Sequence, residues 1–547
     1  MLRSSLTGSH CASFARACRQ PQSGISALVV GRGLANLAMF NAAKKLTQSE
    51  DPAARSKVAI VDDNGSYTYT QLLDDAHKVR SALRGSASKG SSIAMLMPNG
   101  YEYAAVQWGI WAAGGAVVPL SPMHPERELE YFITDSDTRH VICHPSLQAN
   151  LKPVLGRLGG TVQLLSSDEA MRTSSSCDVE DAEIDENQRA LFIYTSGTTG
   201  KPKGVVHTHA SISAQVGALH EAWKWSTHDR LLHMLPLHHI HGIVVALCGA
   251  LWAGVTAEML PSFDADRVMS RLIDGQQNIT LMMGVPTMYM RLLRAIDEMP
   301  AKRREAARLA VRRLRLTISG SAALPASIFN RWEAATGQKM LERYGMSEIG
   351  MALSNSAVDP ATRTVGIVGK PLPNVSVRLV DADGTDVTGQ PDKPGMIQVK
   401  GPNVFREYYG LPEKTAKEFT SDGWFITGDV GARNADGFYY IMGRQSTDII
   451  KSGGFKLSAL EIERELLEHT DIVDAAVVGV SSDEWGEAVA AALVLQPGKS
   501  LSVDALKPWC YERMARYKAP KAIRIVTTLP RNLMGKLDKK AVKAMFL

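Results

Sequence analysis

The stretch "ALFIYTSGTTGKPKG", Ala190 to Gly204, sets a short apolar run directly before a loop made almost wholly of glycine, hydroxyl side chains and lysine. Gly197, Gly200 and Gly204 let the backbone turn and approach a ligand closely. Thr195, Ser196, Thr198 and Thr199 offer donors, and Lys201 and Lys203 add positive charge. That combination suits a polyphosphate. It is not a Walker loop, because the G-x4-G-K-[ST] spacing is absent and Pro202 follows the lysine where such a loop would begin its helix. The loop is therefore expected to be mobile rather than fixed at a helix end. A solvated connection of the same composition is the bland alternative.

Outward from this loop, strand-like and helix-like patterns alternate. "VAIVD" precedes "TYTQLLDDAHKVRSAL", and "SIAMLMP" precedes "YEYAAVQWGIWAAG". Repeated strand followed by helix implies α/β layers with largely parallel sheets. "SVRLVDADGTDV" and "GMIQVKGPNVF" read as hairpins with Asp-Gly and Gly-Pro turns, a small β section after the α/β body. Near Gly443 the character changes. Ser458 and Glu461 form an S-x-x-E capping box opening the helix "ALEIERELLEH", and further strand patterns complete an α+β unit of about a hundred residues. The expected class is α/β: a large N-terminal domain (36–443) of layered sheets plus a small β section, then a smaller, mobile α+β C-terminal domain (444–547).

The 547 residues are 45% hydrophobic and 21% charged, an ordinary globular balance in a chain too long for one core. A net charge of +5 does not argue for nucleic acid. From Met1 to Lys45 there is no Asp or Glu, while Arg3, Arg16, Arg19, Arg32, Lys44 and Lys45 stand among serines and small apolar residues. This is the composition of an organelle transit peptide, assigned to residues 1–35, with the mitochondrial matrix the first choice and plastid the alternative. A basic tail is the plainer reading. Cys11 and Cys18 fall in the leader. Cys143, Cys177, Cys248 and Cys510 show no CxxC spacing, as for incidental thiols in a reducing compartment. The apolar run Gly242 to Val255 is too short to span a bilayer and reads as a buried core helix, so no transmembrane segment is expected. The run "KRREAARLAVRRLR", Lys302 to Arg315, lacks interleaved aromatics and reads as a solvated helix.

Five motifs in order carry a family resemblance: "YTSGTTGKPKG", "ERYGMSEIG" (Glu342–Gly350), "WFITGDVG" (Trp424–Gly431), "GRQSTDIIKSGGFK" (Gly443–Lys456) and "PRNLMGKLDKK" (Pro530–Lys540). Together they resemble the acyl-adenylate-forming superfamily of acyl-CoA synthetases, luciferases and peptide-synthetase adenylation domains. The resemblance implies ATP and CoA as co-substrates and Mg2+ as cofactor. A carboxylate is a poor electrophile, and adenylation installs AMP as its leaving group. The loop 195–204 would hold the β and γ phosphates. Glu348 would be the Mg2+ ligand, with Ser347 beside it among the ATP-binding residues; an acid at a helix N-terminus is the structural alternative for Glu348. Asp429 would accept the ribose hydroxyls and Arg444 donate to the same sugar. Tyr344 and Gly345 would flank the adenine, with "SGSAALP", including Ser321 and Ala322, as the other wall. Lys536 would be the cation beside the α-phosphate and the attacking carboxylate; Lys539 and Lys540 read as solvated surface charges. Ser446 occupies the hinge position, where family members often carry Asp or Lys, and Gly453 and Gly454 would line the pantetheine tunnel.

For the acid, the resemblance implies that two segments approach the acyl pocket: "LPLHHIHGIV", with His239 and His241, and "GVPTMYMRLL", with Arg291. An arginine buried there would be unpaired unless the substrate carried a second anion; a solvent-facing arginine on an amphipathic helix is the alternative for Arg291. "VPTMY-x-R", "RLTISGSAALP" and "ERYGMSEIGMALSN" are similar to malonyl-CoA synthetases, including a mitochondrial branch. That resemblance implies a dicarboxylate, malonate with methylmalonate as a second substrate, with Arg291 on its distal carboxylate, Ser321 nearby, and His239 or His241 shaping the pocket. Medium-chain or aryl acyl-CoA synthesis is the alternative reaction, loading of an acyl group onto a separate carrier protein another, and a non-catalytic nucleotide-binding relative the alternative class. The sequence is silent on oligomeric state.

Overall fold

Strands Arg189–Thr195 and Lys203–Thr208 pair antiparallel, Thr195 opposite Lys203, so the quoted loop closes a hairpin and no helix follows it directly. The computed structural model describes residues 38–85, 89–174, 184–195, 201–274, 278–452, 455–531 and 537–547. Residues 1–35, read above as a leader, the loop residues Ser196, Gly197, Thr198, Thr199 and Gly200, the glycines Gly453 and Gly454, and Lys536 lie outside them, as does Cys177.

The hairpin joins a seven-stranded sheet. Beyond Arg189–Thr195 come Ala116–Leu120, Ser92–Leu96, His140–Cys143 and Gln163–Ser166, all parallel; the short strand Glu407–Tyr408 covers the other edge. Ser92–Leu96 and Ala116–Leu120 are buried throughout, as strands covered on both faces must be. A second sheet of thirteen strands has a parallel centre (Val58–Asp62, Thr256–Met259, Arg230–His233, Leu281–Gly284, Leu316–Ser319, Leu341–Met346) and an antiparallel arm that begins at Gly350–Ser354.

The β section belongs to that arm. Ser376–Val380 and Gly395–Lys400 pair with each other, Ser376 opposite Lys400, and are not two separate hairpins. The Asp383-Gly384 step makes only a local turn inside the connection. Their hydrogen-bonded path continues through Phe425–Arg433 and Tyr439–Arg444 into the large sheet.

Helix Tyr101–Ala112 is buried on every side except at Glu102, and it contacts strands of both sheets. The main core gathers Ile93, Val117 and Ile193 from one sheet, Ile60, Leu231 and Leu281 from the other, and Trp108 between them. The apolar run at 242–255 is a buried core helix as expected, wound in wide π-type turns over His241–Cys248. Cys143, Cys248 and Cys510 are free buried thiols. No helix among the described residues is long and apolar enough to cross a membrane.

Past residue 448 a separate five-stranded sheet has its own apolar clusters. Ser458 caps helix Ala459–Leu466 by accepting the Glu461 N–H at 3.1 Å. Only half of the expected capping box forms, because the Glu461 carboxylate pairs with Lys518 instead. The arginine run forms the surface helix Ala301–Arg312, with Arg304, Arg312 and Arg313 spent on carbonyls at neighbouring helix ends.

Candidate active site

Asp429 and Arg444 meet because their strands pair with these two residues opposite each other. Arg444 Nε lies 2.9 Å from Asp429 Oδ1, and the Tyr344 hydroxyl donates to Asp429 Oδ2 at 2.6 Å. Burial works against the Arg444 charge, but Asp429, Tyr344, Glu348 and Tyr408 together more than offset this and hold the guanidinium above its ordinary value. Gly345, next to Tyr344, admits no side chain: a Cβ there would sit 2.0 Å from the Gly350 carbonyl oxygen. The adenine and ribose candidates thus form one contiguous corner.

Glu348 stands in the turn between Leu341–Met346 and Gly350–Ser354, so no helix dipole accounts for it. The side chain is buried, and burial pushes its carboxyl up despite a 2.8 Å hydrogen bond from the Tyr408 hydroxyl. Tyr408 is on the edge strand that pairs with Lys203–Thr208, and Lys203 Nζ sits 4.1 Å from its ring centroid. The Glu348 carboxylate and Lys203, at the end of the candidate phosphate loop, are therefore linked through one aromatic residue. His207 adds a second link, its Nε2 donating to the Ser347 carbonyl at 2.7 Å; burial holds this imidazole neutral, down to about 4. Neither Tyr408 nor His207 carries a local sequence signal, since each matters only through strand pairing.

Among the candidates for the acid pocket, Ser321 and Ala322 are exposed, and Ser321 adopts the left-handed backbone with φ 68°. Beneath Ser321 lie two buried groups. Arg343 reaches its Oγ at 3.4 Å, and His241 Nδ1 lies at the same distance. The Arg343 guanidinium packs against Gly320, where a Cβ would lie 2.4 Å from Cζ. No carboxylate pairs with it among the described residues, and Nε has no hydrogen-bond partner. Burial lowers Arg343 to about 9, and the same burial, reinforced by Arg343, holds His241 well below its ordinary value.

Arg291 does not meet the expectation of a buried charge. Helix Pro286–Glu298 turns Tyr289, Leu292 and Leu293 inward and leaves Arg291 exposed, its guanidinium 5.0 Å from the Phe263 ring centroid. His239 packs its ring against His238, 4.1 Å between centroids. The buried unpaired arginine is one that motif reading passed over as part of "ERYG".

Ser446 is exposed in the turn joining Tyr439–Arg444 to Ile449–Ser452. Lys539 is not a solvated charge. Its side chain is 10% exposed and pairs with Glu463 and Asp448. Lys540 is exposed, as expected.

The family model described as AMP-binding enzyme matches residues 49–409, and that described as AMP-binding enzyme C-terminal domain matches 461–536. The chain is 41% identical over 516 residues to "Malonate--CoA ligase ACSF3, mitochondrial" of Mus musculus, covering 88% of each. It is 38% identical over 542 residues to "Malonate--CoA ligase" of Arabidopsis thaliana, covering 91% of this chain and 88% of that one. Among solved structures, ATP-bound MatB from Rhodopseudomonas palustris superposes with a TM-score of 0.82 at 34% identity, over 93% of this chain and 99% of that one.

Proposed function

The chain belongs to the AMP-binding enzyme family, and on that premise we propose that it is an AMP-forming acid–thiol ligase joining malonate to coenzyme A. ATP and CoA are its co-substrates. The observation that supports malonate over a monocarboxylic acid is Arg343, a buried guanidinium with no acidic partner among the described residues, under the exposed hydroxyl of Ser321. Such a charge is costly until an anion joins it. The second carboxylate of a dicarboxylic acid is that anion, while a fatty or aryl tail would leave the charge stranded. Ser321 and His241 would complete the distal contact, and Arg291 would sit outside it. Methylmalonate is admitted by the same charge pairing.

The residues then divide the work. Asp429 and Arg444 hold the ribose, Tyr344 and Gly345 bound the adenine, and the loop at 195–204 holds the β and γ phosphates. Mg2+ fits at Glu348, a buried hard oxygen donor beside the phosphate loop whose raised carboxyl is one that a bound cation would hold ionised. When bound, it neutralises phosphate charge. Lys536 supplies positive charge where the carboxylate attacks the α-phosphate. Thiolation then needs the unit after residue 443 to turn about Ser446. The acid-free leader and the mitochondrial relatives support placement in the mitochondrial matrix, with plastid the alternative.

The test is pyrophosphate release with ATP, Mg2+, CoA and a panel of malonate, methylmalonate, succinate, acetate and octanoate. Malonate is expected to give the highest kcat/KM. A preference for acetate or octanoate discards the Arg343 reading, and no turnover with any acid discards the ligase.

A further inference from the structure

The geometry points to Lys539 as a positioning residue for adenylation, tying the segment that carries Lys536 to the hinge turn at Ser446. This rests on the roles proposed above for those two residues. Lys539 begins the helix Lys539–Ala544, three residues after Lys536. Its ammonium donates to the Val477 carbonyl at 2.7 Å, bonds the Glu463 carboxylate, and lies 3.6 Å from Asp448 Oδ1. Glu463 Oε1 also accepts the Val477 N–H at 2.6 Å. A single buried cation is therefore shared by two acids from different elements.

Asp448 leads to the hinge. Its Oδ2 accepts the Arg444 N–H at 3.0 Å, and its own N–H donates to the Arg444 carbonyl at 2.8 Å. Those two bonds close the turn in which Ser446 stands. Gly443, at φ 127°, permits the approach, since a Cβ there would lie 2.5 Å from the Asp448 Cβ. At the other end, the Arg531↔Leu537 bridge and the Asp538 N–H to Pro530 carbonyl bond (2.9 Å) draw together the two flanks of residues 532–536. Arg531 is anchored in turn on Asp474 at 2.6 Å. Lys539 thus connects the flank of the Lys536 segment, through Asp448, to the backbone of the ribose-contacting Arg444. A lysine needed only for solubility would stand in water.

Removing Lys539 alone strands two buried acids and risks unfolding, whereas removing the Glu463 charge with it leaves only Asp448, which keeps the Arg444 N–H. The test therefore compares Lys539→Met/Glu463→Gln with Lys539→Arg and Lys536→Ala. Malonate-dependent ATP–pyrophosphate exchange reads adenylation, and CoA-dependent consumption of supplied malonyl-adenylate reads thiolation. A displacement of ~1 Å near the reacting atoms costs on the order of 10²-fold. The double variant is expected to lose that much of the exchange kcat at unchanged KM for ATP and malonate, with thiolation at the wild-type rate. Lys539→Arg is expected to keep most of the exchange. Equal loss of both half-reactions, or wild-type exchange in the double variant, overturns the inference. Normal exchange in Lys536→Ala overturns the lysine assignment and the inference with it; loss there beside normal exchange in the double variant overturns the inference alone.

Discussion

Replacing Arg343 with Met should make the protein a worse enzyme for malonate and a more stable fold. Arg343 is buried without an acid, and burial lowers it from the ordinary 12.5 to about 9. At about 1.4 kcal/mol per pH unit, holding that charge costs the free enzyme roughly 5 kcal/mol. The penalty is present in full below pH 9 and is relieved as pH rises from there toward 12.5, where the unfolded chain alone still binds the proton. Met keeps most of the side-chain volume and removes the charge, so the melting temperature should rise. Malonate loses its distal partner, and truncating one member of a buried charge pair costs about 2–5 kcal/mol. At about 1.4 kcal/mol per tenfold, kcat/KM for malonate should fall roughly thirtyfold to a few thousandfold, with butyrate spared. The assays are pyrophosphate release with each acid and thermal unfolding without ligand. Malonate kcat/KM at the wild-type level would refute the reasoning, as would equal loss for butyrate. A lower melting temperature would mean that Arg343 has a partner and is structural.

Other expectations follow from the same geometry. Arg291→Ala, at an exposed position, should change malonate use far less than Arg343→Met, measured in the same assay. Gly345→Ala places a methyl 2.0 Å from the Gly350 oxygen and should destabilise by about 1–3 kcal/mol or more, read by urea unfolding, while raising KM for ATP. Lys536→Ala should abolish ATP–pyrophosphate exchange and leave thiolation of supplied malonyl-adenylate. His207, His124 and His233 are each held down to about 4 by burial, so between pH 6.5 and 4 the unfolded chain binds more protons and stability falls as pH falls. Unfolding free energy at pH 5 should lie below that at pH 7, and His207→Gln should flatten the dependence.

Much of this was legible in the chain itself. The alternation of apolar runs with amphipathic stretches fixes α/β layers, because a strand buried on both faces and a helix buried on one must read differently. The glycines and lysines of 195–204 suggest a phosphate loop, and Pro202 argues against one capped by a helix; the hairpin between Arg189–Thr195 and Lys203–Thr208 bears out that no helix follows directly. Asp429, Arg444, Tyr344 and Glu348 could be named from motifs because their backbones are held by short-range strand pairing and turns. Burial and partnership were not legible, being long-range properties. Whether an arginine has an acid depends on elements far apart in sequence, so Arg291 read as the buried charge and Arg343 did not. The same holds for Lys539, which finds Glu463 and Asp448 at separations of 76 and 91 residues. Only the tertiary structure decided which charges leave water, because that is set by what packs around a side chain and not by its neighbours in the chain.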